Sequence, residues 1–168
     1  MEITEIASVT NIEYELQSLL IDSVESGASV GFLNPVKTDE IVSYWSAVTS
    51  DLTSSSRKLF VAMENGQVLG SVQLSLCHKA NGSHRGEVEK LMVRTTARGR
   101  GISKKLMSFM ESVSKELGLS LLVLDTRLGD VAAELYRKIG YIEAGQIPKF
   151  ARSSSGELET TVYFYKQL

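Results

Sequence analysis

One cysteine is all that this 168-residue chain contains, so no intramolecular disulfide can staple it. Cys77 lies in the apolar run VQLSLC with no activating base beside it, and reads as a small buried side chain rather than a nucleophile. There are only two prolines, and no segment approaches the roughly 20 apolar residues of a membrane span, which argues against disordered and membrane-spanning classes. The N-terminal stretch MEITEIASVTNIEYELQSLL lacks both the basic start and the apolar centre of a secretory signal, so a cytoplasmic location is expected. An excess of charge of either sign is also missing: 18 Lys and Arg face 20 Asp and Glu, for a net charge of −2. No global positive field exists to hold nucleic acid or an anionic membrane, and any anion site has to be local. His78 and His84 flank KANGS with no Cys or paired acid at ligand spacing, so no metal site is expected.

What is present suffices for one packed domain over residues 1–168, with 43% hydrophobic and 23% charged residues. Alternation over 2–9 predicts a first strand, and Ile12, Leu16, Leu19, Leu20 and Val24 recur at helical spacing until Gly27. After the loop GASVGFLNP, a second helix is expected from about Asp39 to Leu52 with Thr38 as its N-cap. KLFVAMENGQVLGSVQLSLC predicts a hairpin turning at Asn65 and Gly66, and EVEKLMVR, residues 87–94, another strand. Ile102, Leu106, Phe109, Met110, Val113 and Leu117 form one helical stripe, and LSLLVLDT reads as a strand buried on both faces. A strand, a helix and a buried strand imply a right-handed crossover, with 87–94 and 120–126 parallel. DVAAELYRKIGY predicts a last helix, followed by strands in YIEAGQIP and ETTVYFYKQL with RSSSGELE as their turn. The order βααβββαβαββ calls for an α/β fold: a mixed, mostly antiparallel sheet with helices on both faces.

ARGRGISKK, residues 97–105, stands between a strand and a helix. A turn of this kind gathers unpaired backbone amides and the positive end of a helix dipole at one point, where an anion such as phosphate is stabilised. Gly99 and Gly101 let the backbone approach it, and Arg98, Arg100, Lys104 and Lys105 add local positive charge. The alternative is a glycine-flexed turn with a solvated basic face. The dinucleotide fingerprint fails, because Lys104 stands where its third glycine belongs, and the P-loop fails at Thr96 and Ile102.

LMVRTTARGRGISKKLM resembles motif A of the GNAT superfamily of N-acetyltransferases: Arg or Gln, two residues, Gly, one residue, then Gly or Ala. Arg98, Gly101 and Ser103 take those positions, Ser103 being a small departure from the pattern. AAELYRKIGY resembles motif B, with Tyr136 at its tyrosine, and the predicted element order is that of the GNAT fold. GASVGF, QLSLCHKANG, EVEKLMV and LDT are further similar to the tabtoxin-resistance acetyltransferases. That likeness implies a small amine-bearing acceptor, such as an amino acid analogue or a β-lactam.

The resemblance implies acetyl-CoA as cosubstrate, with its pyrophosphate on the amides of Gly99, Arg100, Gly101, Ile102, Ser103 and Lys104 beside Arg98. The pantetheine arm would then lie along Leu91, Met92 and Val93 like an added strand. Catalysis would be direct attack of an amine on the thioester, needing a base for the ammonium proton and an acid for the leaving thiolate. Glu87 is the first candidate base, at a position where some members carry a catalytic glutamate, and Asp125, ending the next parallel strand, is the second. Their bland alternatives are a solvated strand-edge charge and a cap or loop anchor. Tyr136 is the candidate acid, against the alternative of a half-buried helix aromatic. Glu89 and Lys90 read as a solvated or paired strand face. Phe32 and Trp45 are candidates for the acceptor pocket, although aromatics at helical spacing also serve as core. Gly129 stands where members often carry a cofactor-contacting asparagine, a contact that Asp130 could supply. Homodimerisation through the sheet edge is common in the superfamily and stays open here, as do a peptide acceptor and a non-catalytic acyl-CoA-binding role.

Overall fold

The computed structural model describes residues 1–168. Its strands and helices follow the expected order: β1 Glu2–Ile6, α1 Glu13–Glu25, α2 Thr38–Thr53, β2 Arg57–Glu64, β3 Gln67–Leu76, β4 Arg85–Val93, α3 Ile102–Glu116, β5 Leu121–Arg127, α4 Val131–Lys138, β6 Ile142–Arg152 and β7 Leu158–Gln167. The strands form one sheet in the order β1-β2-β3-β4-β5-β7-β6, antiparallel except for β4 against β5. The β2–β3 hairpin turns at Asn65 and Gly66, with φ of 51° and 79°, the paired positive values that match the twist of its strands. No helix is long and apolar enough to cross a membrane.

Alternation along the strands sends side chains to two cores. Phe60, Leu74, Leu122 and Phe164 join Leu106 and Met110 of α3 on one face, while Leu59 and Val61 meet Leu16, Leu20 and Trp45 of α1 and α2 on the other. Several expectations give way. β1 stops at Ile6, and Thr38 is the first residue of α2, with extended Lys37 before it. Cys77 is only half-buried. β5 is buried on one face only, because α1 and α2 pack over β2 to β4 and leave Leu121, Val123 and Asp125 uncovered.

Two irregularities open the sheet at its centre. β4 and β5 pair only through Arg85↔Leu121, Gly86↔Leu122 and Glu87↔Val123, and then diverge. Between β3 and β4 the register runs from Gln73↔Glu89 to Ser71↔Met92, so β4 carries one extra residue, and Lys90 there takes a φ of 51°. The bulge inverts the pleat. Val88 before it and Leu91 and Val93 after it all pack on the α3 core, whereas Met92 joins the α1/α2 core. Glu89 and Lys90, adjacent in sequence, consequently both approach Tyr44 and Arg57 on the α2 side.

At the end of β4, the buried Arg94 ties α1 to the sheet. Its Nε donates to Val68 O at 2.7 Å, Nη1 to Ser18 Oγ at 3.0 Å, and Nη2 to Glu15 Oε2 at 2.8 Å. Truncation would remove the cation from the Glu15 carboxylate, leaving it only the Val68 N–H, and would take the side-chain donor from the Val68 carbonyl in a part-buried seam. Arg94→Ala is expected to lower stability by about 3 kcal/mol, read as a fall in the urea unfolding midpoint at unchanged slope.

Candidate active site

Where β4 and β5 part, a cleft of about 860 Å³ runs between them. Residues 88–93 of β4 form one wall, and 125–127 of β5 with the start of α4 form the other. The α1–α2 loop at residues 26–31, Phe150–Arg152 of β6, and residues 97–99 and 101–104 at the entry to α3 complete its border.

After β4 the chain makes a short 3-10 turn over Thr95–Ala97, passes Gly99 and Gly101 with φ of 77° and 74°, and enters α3. The first bond of the helical ladder there runs from Lys105 N–H to Gly101 O at 3.2 Å, so the amides of residues 99–104 precede it. A Cβ built on Gly99 or Gly101 would meet nothing within 4 Å, so open space lies over these amides. An anion can approach the backbone directly. The loop is fastened from behind. Thr95 N–H and Oγ1 donate to Asp22 Oδ2 and Oδ1 at 2.8 and 2.7 Å, and Arg98 Nη2 donates to Ser26 Oγ at 2.7 Å.

Arg98, Gly99, Gly101, Ile102, Ser103 and Lys104 border the cleft, as do Leu91, Met92 and Val93. Met92 and Ile102 bury their side chains in the two cores and present backbone to it. Arg100 departs from the expected set: its guanidinium grips Glu64 Oε1 and Oε2 at 2.8 and 3.0 Å and does not border the cleft. Trp45 is also placed otherwise. It is fully buried in the α1/α2 core, which takes it out of any acceptor pocket. Phe32 packs edge-on against Tyr44 at 5.3 Å, one residue beyond the cleft-bordering loop.

Asp125 borders the cleft, and its Oδ2 accepts from Thr161 Oγ1 at 2.6 Å. Glu87 lies outside the lining but shares the uncovered sheet face with Asp125. Partial desolvation, and then the charges of Glu89 and Asp125, hold the Glu87 carboxyl above the usual carboxylate range. Tyr136, on α4, borders the cleft with its ring packed against Tyr141 and Phe164. Burial, reinforced by Asp130 and Asp125, raises its phenol far above the ordinary value, so it remains O–H at neutral pH. Asp130 caps α4, accepting from Ala132 N–H at 3.2 Å.

One cluster was not legible in advance. Arg57 donates to Asp51 Oδ2 at 3.0 Å, Gln73 Oε1 at 2.8 Å and Glu89 Oε2 at 2.8 Å, and Gln73 Nε2 donates to Tyr44 OH at 2.8 Å. Burial works against the Arg57 charge, yet the two carboxylates outweigh it, and burial pushes the Tyr44 phenol up to about 12. Arg57 and Gln73 lie on neighbouring strands and Tyr44 on α2, and only the register brings them to Glu89.

An open parallel strand pair with an amide-lined turn at its mouth defines a cleft for an extended, anion-bearing ligand. Residues 22–141 match the acetyltransferase (GNAT) family, and the chain belongs to it and is an acetyltransferase. The protein called IAA acetyltransferase of Azospirillum brasilense is 27% identical over 135 residues, covering 79% of this chain and 83% of that one. Among solved structures, a ribosomal-protein-alanine N-acetyltransferase from Brucella melitensis superposes with a TM-score of 0.83 at 19% identity, over 100% of both chains. A putative acetyltransferase from Salmonella typhimurium, solved with acetyl-CoA, gives 0.78 at 18% identity over 100% of this chain and 95% of that one. At such identities the two structures speak for the fold.

The raised Glu87 value means that the folded state binds this proton more tightly than the unfolded chain does. The resulting destabilisation is absent below the unfolded pKa of about 4.3 and develops as pH rises through the folded value. Glu87→Gln is therefore expected to melt at or slightly above wild type at pH 7 and to lose that advantage near pH 4, measured by thermal unfolding at both pH values.

Proposed function

We propose that the protein moves an acetyl group from acetyl-CoA to the primary amine of a small molecule by direct attack on the thioester. The observation that carries this reading is the row of free amides at 99–104 opening onto the unpaired edge of β4. The space over Gly99 and Gly101 suits a pyrophosphate, with Arg98 and Lys104 beside it, and the β4 edge at Leu91 to Val93 suits the amide-rich pantetheine arm. Acetyl-CoA supplies an activated acyl thioester. The part of the cleft bordered by the α1–α2 loop and by Phe150–Arg152 supports a compact acceptor over a peptide lying across an open groove. The likeness to tabtoxin-resistance enzymes makes β-lactam amino acid analogues the first acceptors to screen.

The acceptor enters as an ammonium with a pKa near ~10 and needs a base before its lone pair can attack the carbonyl carbon. Asp125, which borders the cleft, and Glu87, acting through water, are the carboxylates to which we assign this; the raised proton affinity of Glu87 supports the reading. As the carbon–sulfur bond breaks, Tyr136 offers its hydroxyl to the departing sulfur. A thiolate whose conjugate pKa is near ~8.5 cannot by itself take the proton from so weak an acid, so hydrogen-bond donation provides the stabilisation.

Two outcomes check this. Acetyl-CoA at about a hundredfold excess over Kd is expected to add roughly 2.7 kcal/mol, or on the order of 5 to 10 °C in Tm, with adenosine diphosphate giving clearly less. No shift, or an equal one, would reduce the turn to a basic surface loop. Tyr136→Phe is expected to keep acetyl-CoA affinity and lose roughly 100-fold or more in kcat, followed by thiol release. Full turnover would remove Tyr136 from the chemistry.

A further inference from the structure

We infer that Lys90 reads an anionic group on the acceptor, so that the amine substrate carries a carboxylate a few bonds from its nucleophilic nitrogen. This rests on the acetyl-transfer reading above and deepens it. The bulge places Lys90 on the cleft wall, on the α2 side, with its Nζ 5.7 Å from the centre of the Tyr44 ring. Gly31 makes room for it: a Cβ there would lie 3.3 Å from Nζ. The ammonium forms no ion pair within the protein. Glu89, its sequence neighbour, is committed to Arg57 at 2.8 Å, Asp125 accepts from Thr161 at 2.6 Å, and Arg57 spends its remaining contacts on Asp51 and Gln73. Burial lowers the Lys90 pKa, with Arg57 opposing the charge, while Glu89, Asp125 and Glu87 favour it.

A half-buried cation with three donors and no carboxylate in contact has its desolvation offset only by the Tyr44 ring and by carboxylates further off, and an anion entering the cleft would supply the missing direct partner. Asp125 stands across the same cleft as a base for the amine. Opposite charges on facing walls match a zwitterion: ammonium toward Asp125, carboxylate toward Lys90. A neutral amine would leave Lys90 unmatched, and a purely cationic one would also be repelled by it. Specificity would then come from the half-buried donor that the wrong acceptor leaves without an ionic partner.

The test measures thiol release from acetyl-CoA with a panel of free L-amino acids and their matched carboxamides, using wild type, Lys90→Met and Lys90→Arg. Acetyl-CoA affinity and Tm are followed for each variant. Lys90→Asn, whose side chain tolerates left-handed backbone, serves as a second neutral replacement should Lys90→Met fold poorly. Wild type is expected to favour acids over their amides by about tenfold or more. The neutral variants are expected to lose roughly 10- to 100-fold in kcat/KM on the acids through KM, with amides changed by less than about threefold, and Lys90→Arg to retain most of the preference. An unchanged acid-to-amide ratio in the neutral variants, a wild-type preference for amides, or acceptance of neither series while acetyl-CoA binds normally would each overturn the inference. Failure of wild type to bind acetyl-CoA would instead overturn the acetyl-transfer reading beneath it.

Discussion

The extra residue in β4 is the constraint on which the remaining geometry depends. A parallel pair of strands is ordinarily held along its length by slanted hydrogen bonds, and here pairing stops after Glu87↔Val123. Beyond that point β4 keeps β3 on one side and faces a cleft on the other. The same insertion reverses the pleat, so that Leu91 and Val93 return to the α3 core while Glu89 and Lys90 are left together on the opposite side. Lys90 accepts a left-handed φ that a side chain rarely adopts, at a cost on the order of 1 to 3 kcal/mol. The β3–β4 ladder on both sides of the bulge and the two cores on either face sustain it.

Charge is distributed around this opening with little redundancy. Arg57 neutralises Glu89 and Asp51, which keeps the α2 side of the bulge from accumulating negative potential close to Glu87 and Asp125. Arg100 faces outward to Glu64, so positive charge at the anion turn comes from Arg98, Lys104 and the backbone amides themselves. Fixed dipoles of this kind need no reorganisation when an anion arrives, unlike long side chains that must be ordered.

The order of elements was legible because each has a strong local period: the Asn65–Gly66 turn, the glycine-flanked entry to α3 and the inward Ile102, Leu106 and Met110 of its stripe lie where their residues demand, although Phe109 and Leu117 of the same stripe stay exposed. The border of the cleft was legible where backbone does the work, at 98–99, 101–104 and 91–93, since glycines and strand position are written locally. It was illegible where register decides. Nothing in EVEK announces that Glu89 and Lys90 share a side, or that Arg57, far off in sequence, reaches Glu89. Trp45 misled for a related reason: an aromatic at helical spacing suits either a pocket or a core, and only the packing of α2 over β2 sends it inward. β5 likewise read as doubly buried from its composition, whereas the helices that would have covered its second face sit over other strands.

The hydrogen bonds from Thr95 to Asp22 and from Arg98 to Ser26 have a mechanical meaning. They rivet the turn that borders the cleft to the C-terminal end of α1, whose next residues become the loop that forms another of its borders. Arg94 clamps the same helix one turn further back. The cleft is thus a frame with a common beam rather than two independent jaws. A tilt of α1 would displace both borders together, preserving the span between them as the wall shifts.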